Sequence, residues 1–224
     1  MKSLFLPLIA LCALTSANAQ SDEDKRLKQA SDVLREVMSV KDKAIPQELM
    51  DKAECAVIVP GMKKGAFVVG AKFGRGYLTC RQEDGVGWKS PAAIRIEGGS
   101  FGFQIGGAEM DVILLVMNKR GTERLLSSKF TMGGEASVAA GPVGRGSSAQ
   151  TDGKMTAEIL SYSRQRGAFA GISLQGASLR EDVDSNRAMY GKSLTNKEVM
   201  STNPQAPPAA AELLQELNRY SSRK

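Results

Sequence analysis

Runs of apolar, often β-branched residues punctuated by glycine constrain this chain more than any other feature. Ala56-Val57-Ile58-Val59 is one such run, stopped by Pro60-Gly61. From Gly65 to Arg81 glycine recurs among apolar residues; Ala92–Glu97, Phe101–Ile105 and Asp111–Val116 continue the series, with Gly98-Gly99 and Gly106-Gly107 as turn markers. Short apolar segments separated by turn residues every 8 to 12 positions or so predict an antiparallel sheet. Glu135–Ala140, Ile159–Arg164 and Ala168–Leu174 read as further strands, with a Gly/Ser-rich loop from Gly141 to Ser148 between the first two.

Helical patterns gather outside this series. Leu27, Ala30, Val33, Leu34, Val37 and Met38 share one face of a helix expected between Lys25 and Lys43, and Asp22 to Asp24 suit its N-terminal dipole. Gln47–Ala53, Lys119–Ser127 and Asp182–Tyr190 are shorter candidates. Thr195-Asn196-Lys197-Glu198 is a capping box that opens another helix, and Ala209–Tyr220 carries Leu213, Leu214 and Leu217 on one side. The fold class is therefore α+β: a glycine-rich, mainly antiparallel β-sheet core with helices at the N- and C-terminal ends.

The N-terminus reads as an export leader. Lys2 precedes an apolar run from Leu4 to Leu14, far short of the roughly 20 residues of a spanning helix, and Ala17-Asn18-Ala19 follows as a cleavage site. The expected organisation is a signal peptide over 1–19, one binding domain over 20–200, and a Pro-rich connector with a terminal helix over 201–224. The expected destination is the periplasm or the medium. An oxidising compartment allows Cys55 and Cys80 to pair, and two inert buried thiols suit the same apolar segments; the sequence leaves both readings open.

There is no histidine, which removes Ser-His-Asp and Cys-His catalysis and histidine metal sites together. Gly98-Gly99-Ser100-Phe101-Gly102 matches a nucleophile elbow in letters only, because its flanks read strand to strand. Gly191-Lys192-Ser193 lacks the upstream glycine of a phosphate loop, where Asn186 stands, and Gly144-x-Gly146-x-x-Ala149 lacks the alternating context of a dinucleotide site. Among the acids, Glu181 and Asp184 share a helical face but read as solvated charges near a helix start. No enzyme activity, cofactor or metal is expected. The formal net charge is +6, falling by one when Lys2 leaves with the leader. Scattered basic residues and sparse aromatics argue against nucleic acid.

Basic residues at the turns are more suggestive. Lys63 and Lys64 follow Pro60-Gly61, Lys72 and Arg75 flank the next turn, and Arg145 sits in the Gly-rich loop. Converging, they would form an edge that binds phosphate groups.

Longer stretches carry a family likeness. Ala53-Glu54-Cys55-Ala56-Val57-Ile58-Val59-Pro60, Gly65-Ala66-Phe67-Val68-Val69-Gly70 and Gly85-Val86-Gly87-Trp88-Lys89-Ser90-Pro91 begin it. Gly102-Phe103-Gln104-Ile105-Gly106-Gly107, Asp111-Val112-Ile113-Leu114-Leu115, Ala139-Ala140-Gly141-Pro142-Val143-Gly144-Arg145, Ser161-Tyr162-Ser163 and Gly167-Ala168-Phe169-Ala170-Gly171 follow in order. The pattern, from about Ala30 to Gly191, resembles the SYLF family, also called the Ysc84 actin-binding domain, in the form of a bacterial exported member. The resemblance implies a lipid-binding module. Eukaryotic members bind phosphoinositides and some bind actin, and an N-terminal amphipathic helix, matched here by Leu27 to Met38, contributes to membrane contact. Export would direct this chain away from cytoplasmic actin. The leading expectation is thus a non-enzymatic module of the cell envelope that meets anionic phospholipid or a membrane surface; the alternative is an envelope protein-interaction or structural module that never touches lipid.

Overall fold

The computed structural model describes residues 21–40, 44–66, 69–101, 106–144, 157–165, 168–171, 174 and 176–221. Its centre is one nine-stranded sheet: β1 (Cys55–Ala66), β2 (Val69–Cys80), β3 (Ala92–Phe101), β4 (Gly106–Val116), β5 (Lys129–Thr131), β6 (Val138–Ala140), β7 (Ile159–Gln165), β8 (Ala168–Gly171) and β9 (Ser178–Glu181). Their lateral order is β5-β9-β3-β2-β1-β4-β7-β6, with β8 also on β7, and every pairing is antiparallel except that of β6 with β7. The helices are α1 (Asp22–Ser39), α2 (Gln47–Lys52), α3 (Lys119–Leu125), α4 (Val183–Tyr190), α5 (Asn196–Thr202) and α6 (Ala211–Arg219). The architecture is the mixed α+β one expected, with α1 at one end of the chain and α5 and α6 at the other.

The sheet has to curl. Laid flat, β5 and β6 would stand about 34 Å apart at ~4.8 Å per strand. Yet they are consecutive in the chain, and the step from Thr131 to Val138 reaches at most about 25 Å. Curling lets the linking turn close: Met132 bridges Ala136, and the Met132 N–H donates to the Ala177 carbonyl. The concave side encloses Val57, Val59, Met62, Leu78, Ile94, Ile96, Val112 and Leu114, joined by Leu125 of α3 and by Val199 and Met200 of α5. The convex side carries Ala56, Ile58, Tyr77, Ala93, Ile113 and Leu115 under α1, α2 and α6. Residues 201–220 turn back over the domain, so that Ala210, Leu213 and Leu217 are buried in the same layer as α1.

Two sequence expectations change here. Pro60-Gly61 does not end a strand. It lies inside β1, and β1 carries one extra residue there against both neighbours, since Ile58↔Tyr77 gives way to Lys63↔Phe73 and Val59↔Val112 to Met62↔Met110. This is a β-bulge, the setting in which a central strand tolerates proline. Gly61 takes φ +57°, and its N–H donates to Asp111 Oδ1 at 2.9 Å. Nor are Gly98-Gly99 and Gly106-Gly107 turns: the first pair lies inside β3, and the second opens β4, paired with Ala66 and Gly65 of β1.

Cys55 and Cys80 face each other across β1 and β2 in direct register and form a disulfide in the concave core. The bridge closes a loop of sequence separation 25, which limits the unfolded chain by about 3 kcal/mol. The double variant Cys55→Ala, Cys80→Ala is expected to lose that much in non-reducing urea unfolding, and the reducing agent that weakens the parent protein should leave it unchanged.

Candidate anion-binding surfaces of the sheet

Side-chain direction along β1 is set by the bulge. Before it, odd-numbered residues such as Val57 and Val59 point to the concave core; after it, Met62 does. Alternation then carries Lys64 to the concave side at the strand end and Lys63 to the convex side. Lys64 stands directly opposite Lys72 of β2, and Lys63 opposite Phe73 on one side and Glu109 of β4 on the other. Phe73 keeps 46% of its surface exposed. Burial, and after it the Lys64 ammonium, push the pKa of Lys72 below the ordinary lysine value of 10.5.

The expected set of basic residues is therefore partly assembled. Lys64 and Lys72 meet at the rim of the curled sheet. Lys63 lies on the opposite face beside Phe73. Arg75 is on that convex face too, with its Nε 3.4 Å from the buried carboxylate of Asp182. Arg145 falls outside the described residues.

Register brings together a second group. Arg75 faces Arg95 of β3, Arg95 faces Arg180 of β9, and Arg180 faces Lys129 of β5. Three alternate with concave-core neighbours, Ile94 and Ile96 around Arg95, Leu179 before Arg180 and Phe130 after Lys129, and Arg75 shares the face of its partner Arg95, so the four form one row on the convex face. Arg95, Arg180 and Lys129 were not singled out from the sequence. The available signal was a cation alternating with core residues, as in Ile94-Arg95-Ile96; which cations share a row depends on register.

Elsewhere among the described residues two cavities are polar. One of about 900 Å³ is lined by Arg120, Arg124, Gly133, Glu135 and Glu158, and its two arginines already pair with the buried Glu158 at 3.3 and 3.5 Å. The other, about 280 Å³ between α1 and the bulge, is rich in acid from Asp32, Glu109 and Asp111. Neither offers an apolar slot for a fatty tail. Among the described residues no cluster of Cys, Asp and Glu is placed to hold a metal ion, and no helix is long and apolar enough to cross a membrane.

Helix α1 is engaged. Leu27, Ala30, Val33, Leu34 and Val37 are buried on the sheet and on α6, so the face that the family resemblance would offer to a membrane is occupied in this state.

Comparison with known proteins adds an independent line. The family model described as Ysc84, Las17-binding protein actin regulator, matches residues 97–220. Protein YSC84 of Saccharomyces cerevisiae is 33% identical over 198 residues, which are 84% of this chain and 41% of that protein. SH3 domain-containing YSC84-like protein 1 of Homo sapiens is 31% identical over 202 residues, 88% of this chain and 58% of that protein. SH3 domain-containing protein PJ696.02 of Schizosaccharomyces pombe is 34% identical over 177 residues, 78% of this chain and 41% of that protein. The chain thus spans about four to six tenths of the length of these curated relatives. None of these names is that of an enzyme.

Proposed function

The chain belongs to the Ysc84 family, and from that premise we propose that it is a non-enzymatic binding module that docks on anionic phospholipid surfaces through the rim of its curled sheet. The observation that carries this reading is the direct opposition of Lys64 and Lys72 at the strand ends. Like charges across a strand pair destabilise the sheet. A phosphate group seated between the two ammonium groups would relieve that repulsion. Phe73 and Lys63, next to them on the other face, add an apolar contact and a third cation at the same level of the sheet. The polar lining of the two cavities found among the described residues suits contact with headgroups better than enclosure of an acyl chain.

Each basic residue near an anionic surface contributes about 1 kcal/mol. The variant Lys64→Gln, Lys72→Gln should therefore lose about 2 kcal/mol, or about thirtyfold in affinity, when co-sedimented with vesicles of phosphatidylcholine containing an anionic phospholipid. Vesicles of phosphatidylcholine alone should bind neither protein, and added salt should weaken the parent more than the variant. Because the pKa of Lys72 is depressed, its charge is lost first as pH climbs towards 10.5, and parental binding should fall in that range ahead of ordinary lysines. Equal sedimentation of parent and variant at every salt concentration would refute the reading.

The family's description as Las17-binding actin regulators supports a second reading, in which the module docks on a protein. The partners of the longer relatives come to this chain only as candidates. Residues 1–19, read as an export leader, would place the relevant surface in the envelope and out of reach of cytoplasmic actin. The intact mass of protein recovered from envelope fractions tests that placement, since retention of Met1 to Ala19 would exclude cleavage there.

A further inference from the structure

The convex row of Lys129, Arg180, Arg95 and Arg75 is hard to explain by folding. Three successive cross-strand pairs are cation against cation, an arrangement that opposes sheet formation. Counter-charge is short. Glu97 is shared by Arg95 at 3.0 Å and Arg180 at 3.4 Å, and Asp182 is left for Arg75. The Nε atoms of Arg95 and Arg180 lie within ion-pair distance of Glu97 but outside hydrogen-bond geometry, so neither donates a bond among the described residues. Those two Nε atoms are buried, but the side chains of Arg75, Arg95 and Arg180 remain 44, 33 and 38% exposed, so an incoming group can reach the rest of each guanidinium-bearing chain.

We propose that this row is a docking surface for an extended acidic protein segment that crosses the strands. The span fits. Four adjacent strands set the outermost cations about 14 Å apart, and an extended peptide places carboxylates at i, i+2 and i+4 over about 13 Å. The chemistry fits as well, because three of the four groups are guanidinium forks that match a carboxylate with two hydrogen bonds. A bilayer is the poorer occupant. Arg95 lies six residues, about 20 Å, before the end of β3 at Phe101, and on the opposite face of the sheet from Lys64 and Lys72, whose level it misses by three residues, about 10 Å, since Lys72 pairs with Gly98 and Arg75 with Arg95. A plane laid on the strand ends does not reach the middle of the sheet face, whereas a single chain does.

The test uses the full chain and a fluorescein-labelled peptide of about ten residues alternating glutamate with threonine, with its glutamine counterpart as control, read by anisotropy at low salt. The acidic peptide should bind and the glutamine peptide should not. Arg95→Gln with Arg180→Gln should weaken binding about tenfold or more, and Lys129→Glu, a change at the exposed first position of the short strand β5, about fivefold. The rim variant Lys64→Gln, Lys72→Gln should stay within about twofold of the parent for the peptide while losing vesicle binding, so failure of either surface is distinguishable from failure of the other. Equal binding of the two peptides overturns the proposal. So does an unchanged affinity in Lys129→Glu together with the double arginine variant, or a double arginine variant that releases vesicles while holding the peptide, which would assign the row to membrane.

Discussion

Gly76→Ala is expected to lower stability by about 3 kcal/mol or more, a large fraction of the total stability of an ordinary domain. A Cβ at position 76 would sit 2.1 Å from the Ile58 carbonyl oxygen and 2.7 Å from the Val59 Cα. Both atoms belong to the backbone of β1, immediately before the bulge, so no side-chain rotation makes room. Strand β1 would have to move away from β2, and with it the register that opposes Lys64 to Lys72 and Ile58 to Tyr77. Gly99→Ala is the internal control: nothing lies within 4 Å of a Cβ there, and the change should fall within about 0.5 kcal/mol of the parent in urea unfolding. Similar midpoints for the two variants would mean that β1 and β2 are not pressed together at the bulge as described.

That contrast also explains what could be read in the chain and what could not. Strand positions were legible because apolar runs such as Ala56–Val59 and Asp111–Val116 carry their own signal, and the Thr195 capping box forms as its four residues predict. The buried face of α1 was legible for the same reason, since helical spacing is a local property. The functions of the glycines were not. Proline followed by glycine announces a turn, and a bulge in a central strand uses the same two properties, a missing N–H and a positive φ. Only the partner strands distinguish the cases. Gly74, Gly76 and Gly98 likewise looked like punctuation, whereas a Cβ on any of them would collide with a neighbouring strand or with Ala177. The cationic row was still further from view. Arg75, Arg95, Lys129 and Arg180 are scattered over more than a hundred positions, and their alignment follows from a register that a slip of one residue would destroy.

Glu23→Ala is expected to cost about 3 kcal/mol or more, because this carboxylate ties α1 to the rest of the molecule. Arg26 donates to both of its oxygens at 2.8 Å, the Tyr77 hydroxyl lies 2.7 Å from one and the Ser185 hydroxyl 2.9 Å from the other. Those three partners come from α1, from β2 and from α4, and the Tyr77 side chain is buried. Removing the carboxylate leaves the Arg26 guanidinium and the Ser185 hydroxyl without this acceptor and the Tyr77 hydroxyl with only the Glu23 carbonyl oxygen, at 2.9 Å. Burial alone would raise the pKa of Glu23, but the hydrogen bonds from Arg26 and Tyr77, the charge of Arg26 and the bond from Ser185 outweigh it and hold the group below its ordinary value of 4.5. A carboxylate with a depressed folded-state pKa stabilises fully above its unfolded value, and that stabilisation disappears as pH falls through the folded one. The gap between parent and Glu23→Gln in urea unfolding should therefore be widest near neutrality and narrow below pH 4.5. A cycle with Tyr77→Phe should show coupling of about 1 kcal/mol or more, since the two side chains touch. The same variant decides what α1 does. If the helix were the membrane element, loosening it with Glu23→Ala would expose Leu27, Val33 and Leu34 and strengthen vesicle binding. If the rim of Lys64 and Lys72 is the contact, binding at a temperature where the variant remains folded should match the parent, and a gain would transfer the site from the sheet to the helix.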